Sequence, residues 1–326
     1  VVHTICRYKN WQTFYRRFLN KNCILICPDM RAEQRILWRN RRNNKKIQKI
    51  AKDIADNQTM TIVMLAGPSS AGKTTTAKKL REALADLNIV CHTISLDDFY
   101  LNNCDSPRFP DGTPDYETVD ALDIACFEKT MNKLLTEGEA QLPEFDFLTG
   151  ARKPRYNHLK ITPSDVIIVE GLHALNPVIT KHIPSERILK IYINVSSRIY
   201  DKNKNIILNK RNMRFIRRMV RDYKFRGNSV EETFKMWITV RYGEDAYLFP
   251  FKDNADIKIN TIHLYETCIL KNTAIELLSE VSKESEFYKE SQRLIRNLER
   301  FPSINSSVVP EDSLLREFIG KEQNNG

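Results

Sequence analysis

Residues 61–80, TIVMLAGPSSAGKTTTAKKL, constrain this chain more than any other stretch. An apolar, β-rich run over 61–66 meets a turn of small residues over 67–72. Lys73 and Thr74 follow, and then a run with helical character over 75–87. The pattern G-x-x-x-x-G-K-[ST] covers 67–74 in strand, loop, helix order, the setting in which it holds a phosphate. Its glycines let backbone N–H groups wrap the anion, and the N-terminus of the following helix adds a favourable dipole. Gly67, Pro68, Ser69, Ser70, Ala71, Gly72, Lys73, Thr74 and Thr75 are therefore the candidate nucleotide cradle. Lys73 has the reach for the β- and γ-phosphates, and the Thr74 hydroxyl can ligate Mg²⁺. ATP and Mg²⁺ are the expected ligands. A chance match in a Gly/Ser-rich turn is the alternative, and it leaves the order of strand, loop and helix unexplained.

The 326 residues suffice for one large domain or two smaller ones, with 41% hydrophobic and 28% charged residues, as in ordinary globular chains. No apolar run approaches the ~18 residues of a membrane span, and the first residues hold no apolar leader region. A cytoplasmic protein with no membrane partner is expected. Seven scattered cysteines, with no C-x-x-C pair and no Cys/His cluster, read as free thiols in a reducing compartment. The net charge of +10 resides in residues 1–57, which carry 14 Lys/Arg against 4 Asp/Glu, while the remainder carries 37 of each. Nucleic acid is therefore not expected as a partner of the body. Basic residues interleaved with aromatics over 1–46 leave RNA binding open beside a solvated basic helix. Ile47, Ile50, Ala51 and Ile54 recur at i, i+3, i+4 and i+7, which predicts an amphipathic helix leading into the first strand.

After the phosphate loop, IVCHTISL (89–96) predicts a buried strand ending in Asp97, Asp98, Phe99 and Tyr100. In an open parallel sheet functional groups gather at the carboxyl ends of the strands. Asp97 can there hold Mg²⁺ through water or take a proton from an attacking hydroxyl; a helix cap is the alternative. Residues 97–123 hold eight acids, Asp97, Asp98, Asp105, Asp111, Asp115, Glu117, Asp120 and Asp123, against one base, Arg108. Carboxylates accept hydrogen bonds from vicinal diols, so this loop points to a polyol or ribose acceptor, with a solvated acidic loop as the alternative. Residues 121–137 read as a helix. Residues 142–162 alternate about a Thr-Gly turn and predict a β-hairpin with a four-to-six-residue loop. Phe145, Phe147 and Tyr156 on it form either an aromatic wall for a flat ligand or a small satellite core. DVIIVE (165–170) is a short buried strand whose terminal Glu170 occupies the position of a Mg²⁺-facing carboxylate. ILKIYINV (188–195) is a further strand, nearly continuously apolar like DVIIVE, as in a sheet covered on both faces, and DIKIN (256–260) is the last short strand.

Residues 198–226 carry eleven Lys/Arg and only Asp201 and Asp222 as acids. Arg214, Arg217, Arg218 and Arg221 fall on one side of a helix. Converging arginines suit a phosphoryl group in transfer; a solvated basic helix is the alternative. Helices are predicted over most of 265–300, and a tail with one short helix over 301–326.

Taken in order, the phosphate loop, Asp97-x-Phe-Tyr, the acidic loop, the hairpin, Val169-Glu170-Gly171 and the arginine helix resemble the uridine kinase/phosphoribulokinase family over about residues 60–262. SLDDFY (95–100), EGLHALNP (170–177) and SLLREFIG (313–320) are most similar to bacterial uridine kinase-like nucleoside kinases. The resemblance implies Asp97 as general base on the acceptor hydroxyl, Thr74 and Glu170 as Mg²⁺ positions, and Arg218, Arg221 and Arg226 as lid arginines that close on the phosphates. It places Tyr100 and Glu117 against the nucleoside. Phe145 and Gly150 stand where uridine–cytidine kinases carry a Tyr and a His that read the pyrimidine, so reaction type is better specified than the base.

The expected fold is a doubly wound, parallel α/β P-loop kinase with a hairpin insertion, an arginine lid and a helical C-terminal extension. The expected divisions are a basic N-terminal segment (1–46), a kinase domain (47–262) and the extension (263–326). The expected activity is ATP-dependent phosphorylation of a nucleoside 5′-hydroxyl, uridine or cytidine first, with a homo-oligomer left open. The alternatives are a kinase for another polyol or sugar, as in phosphoribulokinase, and a P-loop regulatory or RNA-binding module.

Overall fold

A computed structural model describes residues 23–24 and 32–320, apart from 58, 148 and 264, and side chains from residue 43 onward. The expectations for residues 1–46 fall mostly outside the described residues. In chain order the principal elements begin with β1 (Cys23–Ile24), α1 (Ala32–Asp56), β2 (Ile62–Ala66), α2 (Lys73–Ala85), β3 (Cys91–Ser95) and α3 (Ile124–Glu137). The hairpin strands β4 (Glu139–Leu142), β5 (Phe145–Asp146), β6 (Ala151–Arg152) and β7 (Asn157–Lys160) follow, then β8 (Val166–Gly171), α4 (Pro177–Thr180) and β9 (Ile188–Asn194). The chain continues through β10 (Arg198–Tyr200), β11 (Ile206–Leu208), α5 (Lys210–Arg226), α6 (Val230–Gly243), β12 (Ile257–Asn260), α7 (Glu266–Ser279), α8 (Tyr288–Glu299) and α9 (Arg316–Ile319). Among the described residues no helix is long and apolar enough to cross a membrane.

The described residues form two compact units, one within 44–194 and 236–259, the other within 23–43, 195–235 and 260–320. The first holds a five-stranded sheet in the order β12-β9-β2-β8-β3. β2 pairs in parallel with both β8 and β9, and β8 in parallel with β3. Every residue of β2 is buried, because the strand is covered on both faces. Ile62, Met64 and Ala66 join Phe127, Met131 and Leu134 of α3 on one side. Val63 and Leu65 join Ile47, Ile50, Ala51 and Ile54 of α1 and Ala77, Leu80 and Leu84 of α2 on the other. This is the doubly wound α/β arrangement that continuous apolar strands call for. Each fully buried aliphatic side chain contributes about 1.5–3 kcal/mol. The hairpin pairs β4 with β7 and β5 with β6, both antiparallel, around a four-residue tip between Asp146 and Ala151.

The second unit contains a small sheet ordered β1-β10-β11 and the helices α5, α7, α8 and α9. The basic run over 198–208 had no strand expected in it, yet β10 and β11 form an antiparallel ribbon there. On α5 the arginines do not make a solvated face. Arg214 and Arg217 are fully buried. Arg217 donates through Nε to Glu266 Oε1 (3.0 Å), through Nη2 to Glu266 Oε2, and to the Thr261 carbonyl (3.0 Å). Its guanidinium carbon lies 5.1 Å from the centre of the Phe318 ring. The C-terminal SLLREFIG stretch thus packs directly on the arginine helix, with Leu315 and Phe318 fully buried.

Glu266→Ala leaves the Arg217 charge buried without its partner. It is expected to lower unfolding free energy by about 3–5 kcal/mol, measured by urea denaturation.

Candidate functional site

β3, β8 and β2 are neighbours in the sheet, and their carboxyl ends share one edge. The register pairs Ser95 with Glu170 and Leu65 with Glu170. Glu170 therefore stands between two strands, two residues short of Gly67 on one and of Asp97 on the other. The phosphate loop, Glu170 and Asp97, expected separately from their motifs, emerge from three adjacent strand ends.

The loop has the geometry of an anion cradle. Ser70 (φ 56) and Gly72 (φ 89) both adopt left-handed backbone, and Gly72 caps α2 with no side chain bonded to the first amides. Alternating handedness turns successive N–H groups inward, which is how short backbone segments hold anions. A left-handed serine costs about 1–2 kcal/mol, and such strain clusters at functional segments. Gly67 is required by proximity: a Cβ there would lie 2.5 Å from the Ile193 carbonyl oxygen. The loop can therefore lie directly over β9. Lys73 Nζ donates to the Gly67 carbonyl (3.0 Å), and Thr74 is exposed at the first turn of α2. The cradle fits a phosphate anion. Among the described residues no three His, Cys, Asp or Glu side chains cluster as a metal cage. Mg²⁺ in a nucleotide site needs none, because one or two protein oxygens share it with phosphates and water.

Asp97 is the second residue of a single 3-10 turn, Leu96–Phe99. The cap of that turn is Ser95, whose hydroxyl accepts from the Asp97 amide (3.3 Å), so the capping role falls to Ser95, and Asp97 is exposed. Asp98 instead accepts from the Phe145 amide (3.3 Å), and burial pushes its carboxyl up. Tyr100 is buried, and its hydroxyl donates to the Tyr116 carbonyl (2.8 Å). Burial first, then the charges of Asp97 and Glu117, push its phenol well above the ordinary range. Asp97, Tyr100 and Glu117 therefore lie together. Most of the remaining acids in this loop serve the backbone. Asp111 accepts from the Thr113 amide, Asp115 from the Glu117 amide, and Asp123 caps α3 through the Cys126 amide. The acidic wall reduces to a few carboxylates around Asp97.

The aromatic residues form one cluster. Tyr100 lies 5.6 Å from Phe145 and 6.0 Å from Phe147, and the two phenylalanines are 5.0 Å apart. Phe145 is 5% exposed and Phe147 62%, so the cluster is part core and part open wall. Gly150 packs against Asn103: a Cβ there would lie 1.9 Å from the Asn103 amide nitrogen. Arg218, Arg221 and Arg226 belong to the other unit. There they surround the fully buried Asp222, at 3.1, 2.7 and 3.6 Å.

Two further residues were given no role by the sequence. Arg152 donates to the Phe99 and Tyr100 carbonyls (3.0 Å each) and to Asp123 (3.0 Å), bracing the backbone just after Asp97. His173, three residues past Glu170, is 2% exposed, and neither ring nitrogen has a hydrogen-bond partner. Burial lowers its pKa to about 4; the nearby Glu117 backbone opposes this weakly, short of hydrogen-bond geometry.

These features define a P-loop protein of the kinase type. The sequence profile of the phosphoribulokinase/uridine kinase family matches residues 62–267, and the chain belongs to that family. It is 29% identical over 197 residues to a uridine kinase of Lactobacillus helveticus, covering 60% of this chain and 84% of that one. It is 30% identical over 200 residues to a uridine kinase of Borrelia duttonii, covering 61% and 85%. Among solved structures it is similar to a putative fructose transport system kinase from Silicibacter sp. TM1040 (TM-score 0.48, 16% identity, 65% of this chain and 98% of that one). A possible uridine kinase from Bacillus stearothermophilus has a TM-score of 0.44 (17% identity, 66% and 97%). At those values neither adds to the fold read from the sheet order.

The His173 shift has a sign. Above pH ~6.5 the imidazole is neutral folded or unfolded. As pH falls toward about 4, the unfolded chain takes the proton first and stability is lost, by about 3 kcal/mol at full extent. His173→Leu is expected to flatten that part of the stability–pH curve between pH 6.5 and pH 4, followed by denaturant titration. Arg152→Ala removes a buttress of charged hydrogen bonds and is expected to cost about 2–3 kcal/mol, read by the same method.

Proposed function

We propose that this chain transfers the γ-phosphoryl group of ATP to the 5′-hydroxyl of a nucleoside, with uridine or cytidine the first candidates. The supporting observation is the alignment of phosphate loop, Glu170 and Asp97 on three neighbouring strand ends. The loop amides and Lys73 hold the β- and γ-phosphates. Thr74 and Glu170 hold Mg²⁺, which supplies charge neutralisation at the transferred group. Asp97, exposed at the strand end, receives the proton of the attacking hydroxyl as the oxygen–phosphorus bond forms and ADP leaves. Tyr100, Glu117, Phe145 and Phe147 bind the acceptor. Arg218, Arg221 and Arg226 carry phosphate charge in this reading through the family resemblance. Named uridine kinases among the relatives support the nucleoside.

A second acceptor class, a sugar or other polyol, is favoured by one observation. Phe145 is apolar, and Gly150 has no side chain and packs on Asn103, so neither position offers a side-chain hydrogen bond to a pyrimidine. A site that reads a base through such bonds draws most of its discrimination from them.

Acceptor-dependent ADP release, measured with Mg-ATP over a panel of nucleosides and sugars, separates the two. Uridine or cytidine is expected to turn over fastest; a sugar outpacing every nucleoside transfers the assignment to the polyol class. Tight ATP binding with no acceptor-dependent ADP release would instead favour a binding module. Asp97→Asn is expected to bind ATP normally and lose turnover by ~10²-fold or more, whereas Lys73→Ala should impair both. Near-normal turnover of Asp97→Asn removes it from the role of base.

A further inference from the structure

α6 ends at Gly243 and runs on into a single π-helical turn, Glu244–Leu248. Such turns recur at functional segments, where a helix must re-aim its side chains. This one meets three parts of the same unit within five residues. At Gly243 a Cβ would lie 2.3 Å from the Glu117 Cβ, so only glycine lets the acidic loop rest on the end of the helix. Glu244 is fully buried, and its Oε1 accepts from the backbone amide of Ser69 at 2.9 Å. The Tyr247 ring meets the His173 ring edge-on, with centroids 6.0 Å apart.

The contact with Ser69 is the informative one. A buried carboxyl is costly unless it is hydrogen-bonded, and this one bonds a phosphate-loop amide 175 positions away in sequence. Ser69 directly precedes Ser70, the left-handed serine of the cradle. A non-glycine residue persists in that conformation only when its surroundings hold it there. Pro68 fixes one side of the loop through its ring and through its carbonyl, which accepts from the Ala71 amide (3.1 Å). Glu244 fixes the other side.

We propose that Glu244 is a positioning residue for the phosphate loop, its buried carboxyl holding the Ser69 amide and with it the left-handed Ser70–Gly72 geometry that nucleotide binding requires. The π-helical turn sets that carboxyl while Gly243 before it rests on Glu117 and Tyr247 within it packs on His173, so the loop is braced from the acceptor side of the site. The proposal rests on the reading of residues 67–75 as an ATP cradle.

The test is calorimetric titration of the full chain with Mg-ATPγS, with no acceptor present. Glu244→Gln keeps an oxygen acceptor of the same reach, and Glu244→Met fills the volume without one. The Gln variant is expected to bind within about threefold of wild type and the Met variant about tenfold or more weakly, each checked for folding by thermal melting. A folded Met variant with wild-type affinity overturns the proposal. Hydrogen exchange at the Ser69 amide, followed by NMR in nucleotide-free wild type and in Glu244→Gln, decides the matter if the Met variant does not fold. The amide is expected to be protected in both, and rapid exchange in wild type overturns the proposal. Wild-type protein that fails to bind ATPγS contradicts the nucleotide reading instead, and the exchange measurement still tests the brace.

Discussion

Everything at the candidate site depends on how closely the loop after β2 lies against β9. β2 is buried along its whole length, held between β8 and β9 and covered on both faces. Such a strand cannot shift without exposing two cores, so the loop that leaves it starts from a rigid point. Gly67 then brings the chain to within van der Waals contact of the Ile193 carbonyl, where any side chain would lift the loop away. Ser70, Gly72 and the start of α2 follow from that approach. The chemistry depends on preorganised N–H groups, and the packing of an apolar strand preorganises them.

Charge in this protein is arranged by partner more than by patch. The acidic loop looks like a wall in the sequence, but Asp111, Asp115 and Asp123 each accept from a nearby backbone amide. The arginine helix reads in the sequence as side chains converging on a phosphoryl group, with a solvated basic face as the alternative; in the fold Arg217 is bound to Glu266 and the next arginines surround Asp222. Buried pairs of this kind add little net stability, yet removing one partner is severe, because the other is left charged in a dry interior. They serve to fix where the remaining charges stand.

This explains what could be read from the chain alone. The sheet was legible because its central strands β2, β8 and β9 are short apolar runs, whereas the edge strands β3 and β12 are only partly buried, and the hairpin because alternation around Thr-Gly is a local signal. The phosphate loop, Asp97 and Glu170 were legible because each follows a strand directly. Glu244, Arg152 and Glu266 were not, since their partners lie 175, 53 and 49 positions away and no local pattern marks them. Asp222 could have been found: it sits four residues after Arg218 and four before Arg226, the spacing at which helix side chains pair. The β10–β11 ribbon was hidden by the basic residues around it. His173 lies within EGLHALNP (170–177), but its burial without a hydrogen-bond partner is a property of the fold.

The most direct test of the account is a crystal structure with Mg²⁺, a non-hydrolysable ATP analogue and uridine. The phosphates are expected to be wrapped by the amides of residues 70–74, with the ion on the side of Thr74 and Glu170. The uridine 5′-hydroxyl is expected within hydrogen-bond reach, about 3 Å, of the Asp97 carboxyl. An acceptor hydroxyl held by a different carboxyl, or an ion remote from Glu170, would contradict it.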